Sequence, residues 1–284
     1  MLRAGPLSDE TIVRLANRRF VSFYFDLADS GAAGDPDARA FVVAARKELG
    51  GRQVPTPPVL FMTAEGRVLG EASNYATEAQ VLEAMRAVLK AHPEYDALSD
   101  EEKALVDPVA IARLRMDLLD FEGARAVLAS TGGAQAAYLL GRIARFRGDW
   151  AAMERHFAKV DDPALAADLR MERAHRLWRA GDFAALGKAL AGFPADSARA
   201  SEARYFEGLA LFHSGEKEKA LDTWKSLVTG CPQDPWVYRA DWAYSGATQK
   251  GGRTVFRSGE RGSLLGRIGY MGRTNPDLAG PPRD

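Results

Sequence analysis

Apolar positions follow three regimes along the chain, and the first mixes helical with strand periods. Ser8 is the N-cap expected for an opening helix, with Ile12, Leu15 and Ala16 at helical spacing behind it. Phe20-Val21-Ser22-Phe23-Tyr24-Phe25 is dense in aromatic and β-branched residues and predicts a buried strand ending at Asp26. Asp35-Pro36 opens a second helix with Phe41, Val42 and Ala45 on its apolar face, and Gly50-Gly51 stop it. Pro55 to Pro58 leads into a strand over Val59-Leu60-Phe61-Met62. Ala64 to Arg67 is a tight turn, and Val68-Leu69-Gly70-Glu71 a second strand. Thr77 and Gln80 have capping-box spacing, ahead of a helix that buries Val81, Met85 and Val88 or Leu89.

The second regime is helical throughout. His92-Pro93 ends the preceding helix, and Ser99-Asp100-Glu101-Glu102 caps a polar helical linker over residues 93–107. Asp107-Pro108 starts a stretch rich in Ala, Leu, Arg and Glu. A register recurs within it. Leu119-Asp120-Phe121, Gly148-Asp149-Trp150, Gly181-Asp182-Phe183 and Gly215-Glu216-Lys217 each separate two helical segments, and the three glycines stand 33 and 34 residues apart. Apolar pairs follow at fixed offsets: Ala124 and Leu128, Met153 and Phe157, Leu186 and Leu190, Ala220 and Trp224. Small residues at Gly141, Ala174 and Gly208 let paired helices approach, while Phe157, Leu190 and Trp224 fill the space between pairs. Trp236, Tyr238, Trp242 and Tyr244 predict a closing helix that seals the array.

The third regime is a tail, residues 250–284, with six Arg against three acids from residue 251 onward. Thr254-Val255-Phe256 is the strand-like segment outside the first regime, and apolar islands at Leu264, Leu265, Ile268, Tyr270 and Met271 stand between glycines. A tail without a task rarely keeps such islands. Val255, Phe256, Leu264, Leu265, Ile268 and Tyr270 are therefore candidate docking residues, toward this chain or a partner.

Composition narrows the function. The 284 residues are 46% hydrophobic and 27% charged, the values of a soluble globular protein of two domains. Thirty-eight basic residues balance 38 acidic ones, which argues against a broad basic surface for nucleic acid. The lone Cys231 excludes an intramolecular disulfide and a Cys-based zinc site within one chain, and it reads as an inert, half-buried thiol. His92, His156, His175 and His213 lack metal-ligand spacing, so structural roles are expected of them, with no metal and no cofactor. No apolar run reaches the ~20 residues of a membrane helix, and no signal peptide is read after Met1.

Two resemblances sharpen these expectations. Residues 1–92, through Val54-Pro55-Thr56, the hairpin at Glu65-Gly66 and the closing helix, resemble a thioredoxin-like α/β domain. The resemblance implies a cis Val54–Pro55 bond, and peptide binding by the backbone at Val54, Pro55 and Thr56. The first strand of that fold and its Cys-x-x-Cys are missing. Met1-Leu2-Arg3 resembles the stretch immediately after the second active-site cysteine in that family. Residues 108–249 resemble tetratricopeptide (TPR) repeats, best in the last unit with Gly208, Gly215, Ala220, Trp224 and Pro232. That family implies a surface that binds protein partners.

The combined expectation is an α/β thioredoxin-like domain, incomplete at its N-terminus, an all-α TPR-like repeat domain, and an extended Gly/Arg-rich tail. The expected role is a non-catalytic interaction adaptor or assembly subunit in the cytoplasm. It would bind protein partners through the repeats and the tail, with no nucleic acid and no membrane span. The alternative is a thiol-disulfide oxidoreductase whose assigned start lies just after its Cys-x-x-Cys, in which case a signal peptide could lie upstream.

Overall fold

The computed structural model describes residues 9–21, 43, 44, 47, 48, 59–73, 76–230, 234, 236–248 and 275–281. Within them the chain is mostly helical, with twelve α-helices and one small antiparallel sheet. No described helix is long and apolar enough to cross a membrane.

The N-terminal unit starts with α1 (Glu10–Arg19). Its cap is Asp9 rather than Ser8: the Asp9 carboxylate accepts from the backbone N–H of Thr11 at 2.9 Å and of Ile12 at 3.3 Å. A charged acceptor at a helix N-terminus also meets the positive end of the dipole, which a serine hydroxyl does less well. Ile12 and Leu15 are buried as expected. At the start of the expected strand, Phe20 has extended backbone but no strand pairing among the described residues. Phe20 is the C-cap of α1 and packs on Phe61 at 5.4 Å between ring centroids, and Val21 is 99% exposed. Of the helix expected from Asp35, residues 43, 44, 47 and 48 are described and are helical; its other residues, the rest of the Phe20 segment after Val21, and Val54, Pro55 and Thr56 lie outside the described residues.

The hairpin forms where the pattern places it, with β1 (Val59–Met62) and β2 (Val68–Ala72) paired Val59 to Ala72, Leu60 to Glu71 and Phe61 to Gly70, and a register shift between Phe61 and Met62. Thr77 and Gln80 close the capping box of α2 (Glu78–Ala91), whose Val81, Met85, Val88 and Leu89 pack with Ile12, Leu15 and Phe61 in one core. A single 3-10 turn (Pro93–Tyr95) and α3 (Asp100–Lys103), capped reciprocally by Ser99 and Glu102, carry the chain to the array.

The array is four antiparallel helix pairs: α4 (Pro108–Asp117) with α5 (Phe121–Leu128), α6 (Ala134–Phe146) with α7 (Trp150–Phe157), α8 (Ala166–Arg179) with α9 (Phe183–Leu190), and α10 (Ala200–His213) with α11 (Lys217–Gly230). Helix α12 (Trp236–Thr248) packs against the last pair. One turn design joins every pair. Leu119, Gly148, Gly181 and Gly215 sit at φ of 61°, 71°, 69° and 86°. The N–H of the next residue then closes onto the carbonyl five positions back, at 2.8–3.0 Å. In the first three turns that next residue is Asp120, Asp149 or Asp182, whose side chain caps the following helix through the N–H of Gly123, Ala152 or Ala185.

Leu119 is the exception to glycine at this position. The left-handed region costs an L-residue about 1–2 kcal/mol. Here the side chain packs against the core of the N-terminal unit, a contact that a glycine would forgo.

The expected small-to-large packing holds. A Cβ on Gly141 would overlap the Phe157 ring, and one on Gly208 would overlap the Trp224 indole. Ala174, Leu190, Ala220, Phe157 and Trp224 are all buried, and the Trp224 indole N–H donates to the Tyr205 carbonyl at 3.2 Å.

Candidate functional site

The first helices of successive pairs present one face to each other and to α1. Spacing of four and then three residues places Tyr138, Arg142 and Arg145 together on α6, and Asp168, Glu172 and His175 together on α8. Arg199 and Glu202 stand at the start of α10. These side chains meet in a buried ionic network. Glu172 is fully buried, and pairs with Arg142 Nε at 3.1 Å, Arg199 Nη1 at 2.7 Å and Arg145 Nε. Glu202 accepts from Arg199 Nε and pairs with His175 Nε2, both at 2.7 Å. From the other end of the chain, Glu10 of α1 reaches Arg142 and Arg145 while also bonding Arg14 of its own helix at 2.9 Å.

Four arginines, Arg14, Arg142, Arg145 and Arg199, thus face three glutamates. Burial by itself would raise the carboxyl of Glu10, but Arg145, Arg142 and Arg14 hold it well below the usual range. Glu172 is likewise lowered by Arg145, Arg142 and Arg199 against its burial. Glu202 is lowered to about 2, burial being outweighed by the hydrogen bond and charge of His175 and by Arg199. Burial pushes the Tyr138 hydroxyl up. Carboxylates held this firmly ionised, each paired with guanidinium groups, are poor proton donors and acceptors near neutral pH. The chemistry of this network is electrostatic fastening.

Further pairs extend the seam between α1 and the array. Asp117 of α4 takes Arg14 and, at 3.0 Å, Arg18. Arg19 reaches Asp96 and Glu102, each at 3.2 Å.

A second constellation lies at the far end of the array. Residues 275–281 form a 3-10 turn (Pro276–Ala279) seated on α10 and α12. Asn275 is buried, and its side chain accepts from the Asp277 N–H at 2.9 Å. The Tyr205 hydroxyl donates to the Asp277 carboxylate, and His213 Nε2 donates to the Asp277 carbonyl at 2.8 Å. Leu278 joins the core of the last two pairs and lies over Gly246, where an added Cβ would come within 2.7 Å of its Cδ1. Burial and then the Asp277 charge raise the Tyr205 hydroxyl well above its usual range.

The residues singled out from the sequence divide three ways. Gly141, Phe157, Leu190, Gly208, Ala220 and Trp224 come together as pair packing, not as a surface. Val54, Pro55 and Thr56, and the tail residues Val255, Phe256, Leu264, Leu265, Ile268 and Tyr270, lie outside the described residues, as does Cys231. The sequence reading missed Glu10, Arg142, Arg145, Glu172, Arg199, Glu202, Asn275, Asp277 and Leu278. The repeated spacing of charges on α6 and α8 was the available signal.

Three of the four histidines have side-chain partners: His175 with Glu202, His213 with the Asp277 carbonyl, and His92 with Glu94 at 3.3 Å. Among the described residues no three His, Cys, Asp or Glu side chains are grouped to hold a metal ion. No protein-family model matches the chain, nor does any curated protein or any solved structure.

Proposed function

We propose that the chain is a redox-inactive thioredoxin-like domain joined to TPR-like repeats, acting in the cytoplasm as a non-catalytic interaction adaptor or assembly subunit. The observation that carries this reading is the short segment Asn275–Pro281 held on α10 and α12 through an aspartate, a backbone carbonyl and a leucine. An array that grips a turn of its own chain this way has the groups a protein partner requires. The buried ionic network supports the same reading. It spans α1, α6, α8 and α10 and fixes their mutual placement, which suits a rigid platform. The repeat register and the hairpin-plus-helix order of the N-terminal unit favour the two fold assignments.

The test joins two measurements on the purified chain. Quantitative capture from the source cell should yield one or a few proteins in near-stoichiometric amounts, unchanged by Cys231→Ser. Dithiothreitol-driven insulin reduction should stay at background. Insulin turnover that survives Cys231→Ser, or the lack of any stoichiometric partner, would overturn the reading.

A further inference from the structure

The 3-10 turn at residues 276–279 is bound in the manner of a ligand. Its contacts to the array include the side chains of Asp277 and Leu278, one backbone carbonyl, and Asn275 beside Gly246. The receiving side chains are held by other residues of the array. His213 is held face to face with Phe183 at 4.2 Å between centroids and lies 5.7 Å from Trp178, which aims Nε2 outward at the turn. Tyr205 is packed against Trp236 at 5.5 Å and Phe206 at 5.6 Å, leaving its hydroxyl free to meet a carboxylate. Gly246 leaves the space that Leu278 occupies. Arg239 adds positive charge near Asp277. The turn itself is organised from within, by the Asn275 side chain on the Asp277 N–H and by the fixed φ of Pro276. These local features favour the bound shape and lower the ordering cost of docking. In sequence, 26 residues separate the end of α12 at Thr248 from Asn275, seven of them glycine.

We propose that the surface formed by Tyr205, His213 and Gly246 is a docking site for a short Asn-Pro-Asp-Leu turn. Residues 275–281 fill it as a built-in ligand, and a partner segment of the same chemistry takes the site by displacing them. The aspartate is read by the Tyr205 hydroxyl and the leucine by the space over Gly246. Tethering gives the resident turn a local concentration on the order of 1 mM, so a free peptide of ~50 µM affinity competes about 20-fold less well in the intact chain. This deepens the adaptor reading, on which it rests, by naming the chemistry of the partner.

The probe is the synthetic peptide Asn-Pro-Asp-Leu-Ala-Gly-Pro, titrated by calorimetry into the intact chain and into a chain ending at residue 274. The shortened chain should bind it at least tenfold more tightly than the intact one. Peptides carrying the equivalents of Asp277→Asn or Leu278→Ala, and the shortened chain with Tyr205→Phe, should lose most of that affinity. Full-length Leu278→Ala keeps the question open to refutation if the shortened chain does not fold, because it loosens the resident turn and should gain peptide binding. No binding to a folded shortened chain overturns the proposal. So does equal binding to the intact chain, or full-length Leu278→Ala behaving like the parent. Dimerisation of the intact chain that depends on Leu278 would assign the site to a second copy and overturn displacement by a partner. Each of these failures leaves stoichiometric capture, the test of the adaptor reading, unaffected.

Discussion

Glu202→Gln removes one charge from the inner network and keeps the side-chain shape. Glu202 is 8% exposed, and its carboxylate meets His175 Nε2 and Arg199 Nε at 2.7 Å each. Burial disfavours the ionised form, yet the hydrogen bond and charge of His175, with Arg199, bring the carboxyl from 4.5 to about 2. At ~1.4 kcal/mol per tenfold change in proton affinity, that drop is worth about 3 kcal/mol of folding free energy. The sign is set by where the proton goes. The folded carboxyl binds its proton less tightly than the unfolded one, so the contribution is complete above about 4.5 and drains away as the pH falls toward about 2.

Glutamine carries no charge at any pH and acts as a permanently protonated stand-in. Urea unfolding followed by tryptophan fluorescence, compared at fixed m, reads the difference between variant and parent. The gap should be about 3 kcal/mol at pH 7 and about half that at pH 3. Glu10 and Glu172 are lowered too, so both proteins lose stability in acid, and the difference between them isolates Glu202. A gap that stays constant from pH 7 to pH 3, or one below about 0.5 kcal/mol at pH 7, would refute the claim that Glu202 is held ionised by its partners.

Other outcomes are expected from packing, caps and the ionic seam. Trp224→Ala empties a fully buried site and drops an indole hydrogen bond, and should cost about 3–5 kcal/mol in chemical denaturation. Gly208→Ala drives a Cβ into that indole and should cost about 1–3 kcal/mol, whereas Gly132→Ala, with nothing within 4 Å, should not show such a loss. Asp182→Ala removes the side-chain cap of α9 and should lower stability by about 1 kcal/mol, with faster amide exchange at Ala185. Glu10→Gln, which removes the ion pairs of α1 with Arg142 and Arg145, should lower amide protection in α1 and reduce its loss on adding salt, while leaving exchange in α10 and α11 unchanged.

What could be read along the chain was what neighbouring residues settle among themselves. The hairpin at residues 59–72, the capping boxes at Thr77 and Ser99, the Asp107-Pro108 start and the repeating turns all depend on partners within about five positions. Side-chain size at Gly141, Phe157, Gly208 and Trp224 was legible for a related reason: a fixed repeat returns the same neighbours at the same offsets. Phe20 shows the limit of local propensity. Its aromatic run favours strand and its backbone is extended, but that it closes α1 with its ring against Phe61 is a contact the run does not display.

The rest was decided in three dimensions. Periodicity says which face of α6 or α8 turns inward, but not which charges cross the gap. Glu10 finds Arg142 and Arg145 more than 130 residues away, and Glu172 collects arginines from two other helices. Leu119 carries a conformation suited to glycine because a core from another unit receives its side chain. Asp277 looks like an ordinary turn residue until Tyr205 and His213, 72 and 64 positions earlier, close around it. Long-range electrostatics and the seating of one segment on another leave no local pattern, since each half of the contact is also a common solvated sequence. Only the folded chain brings the halves together.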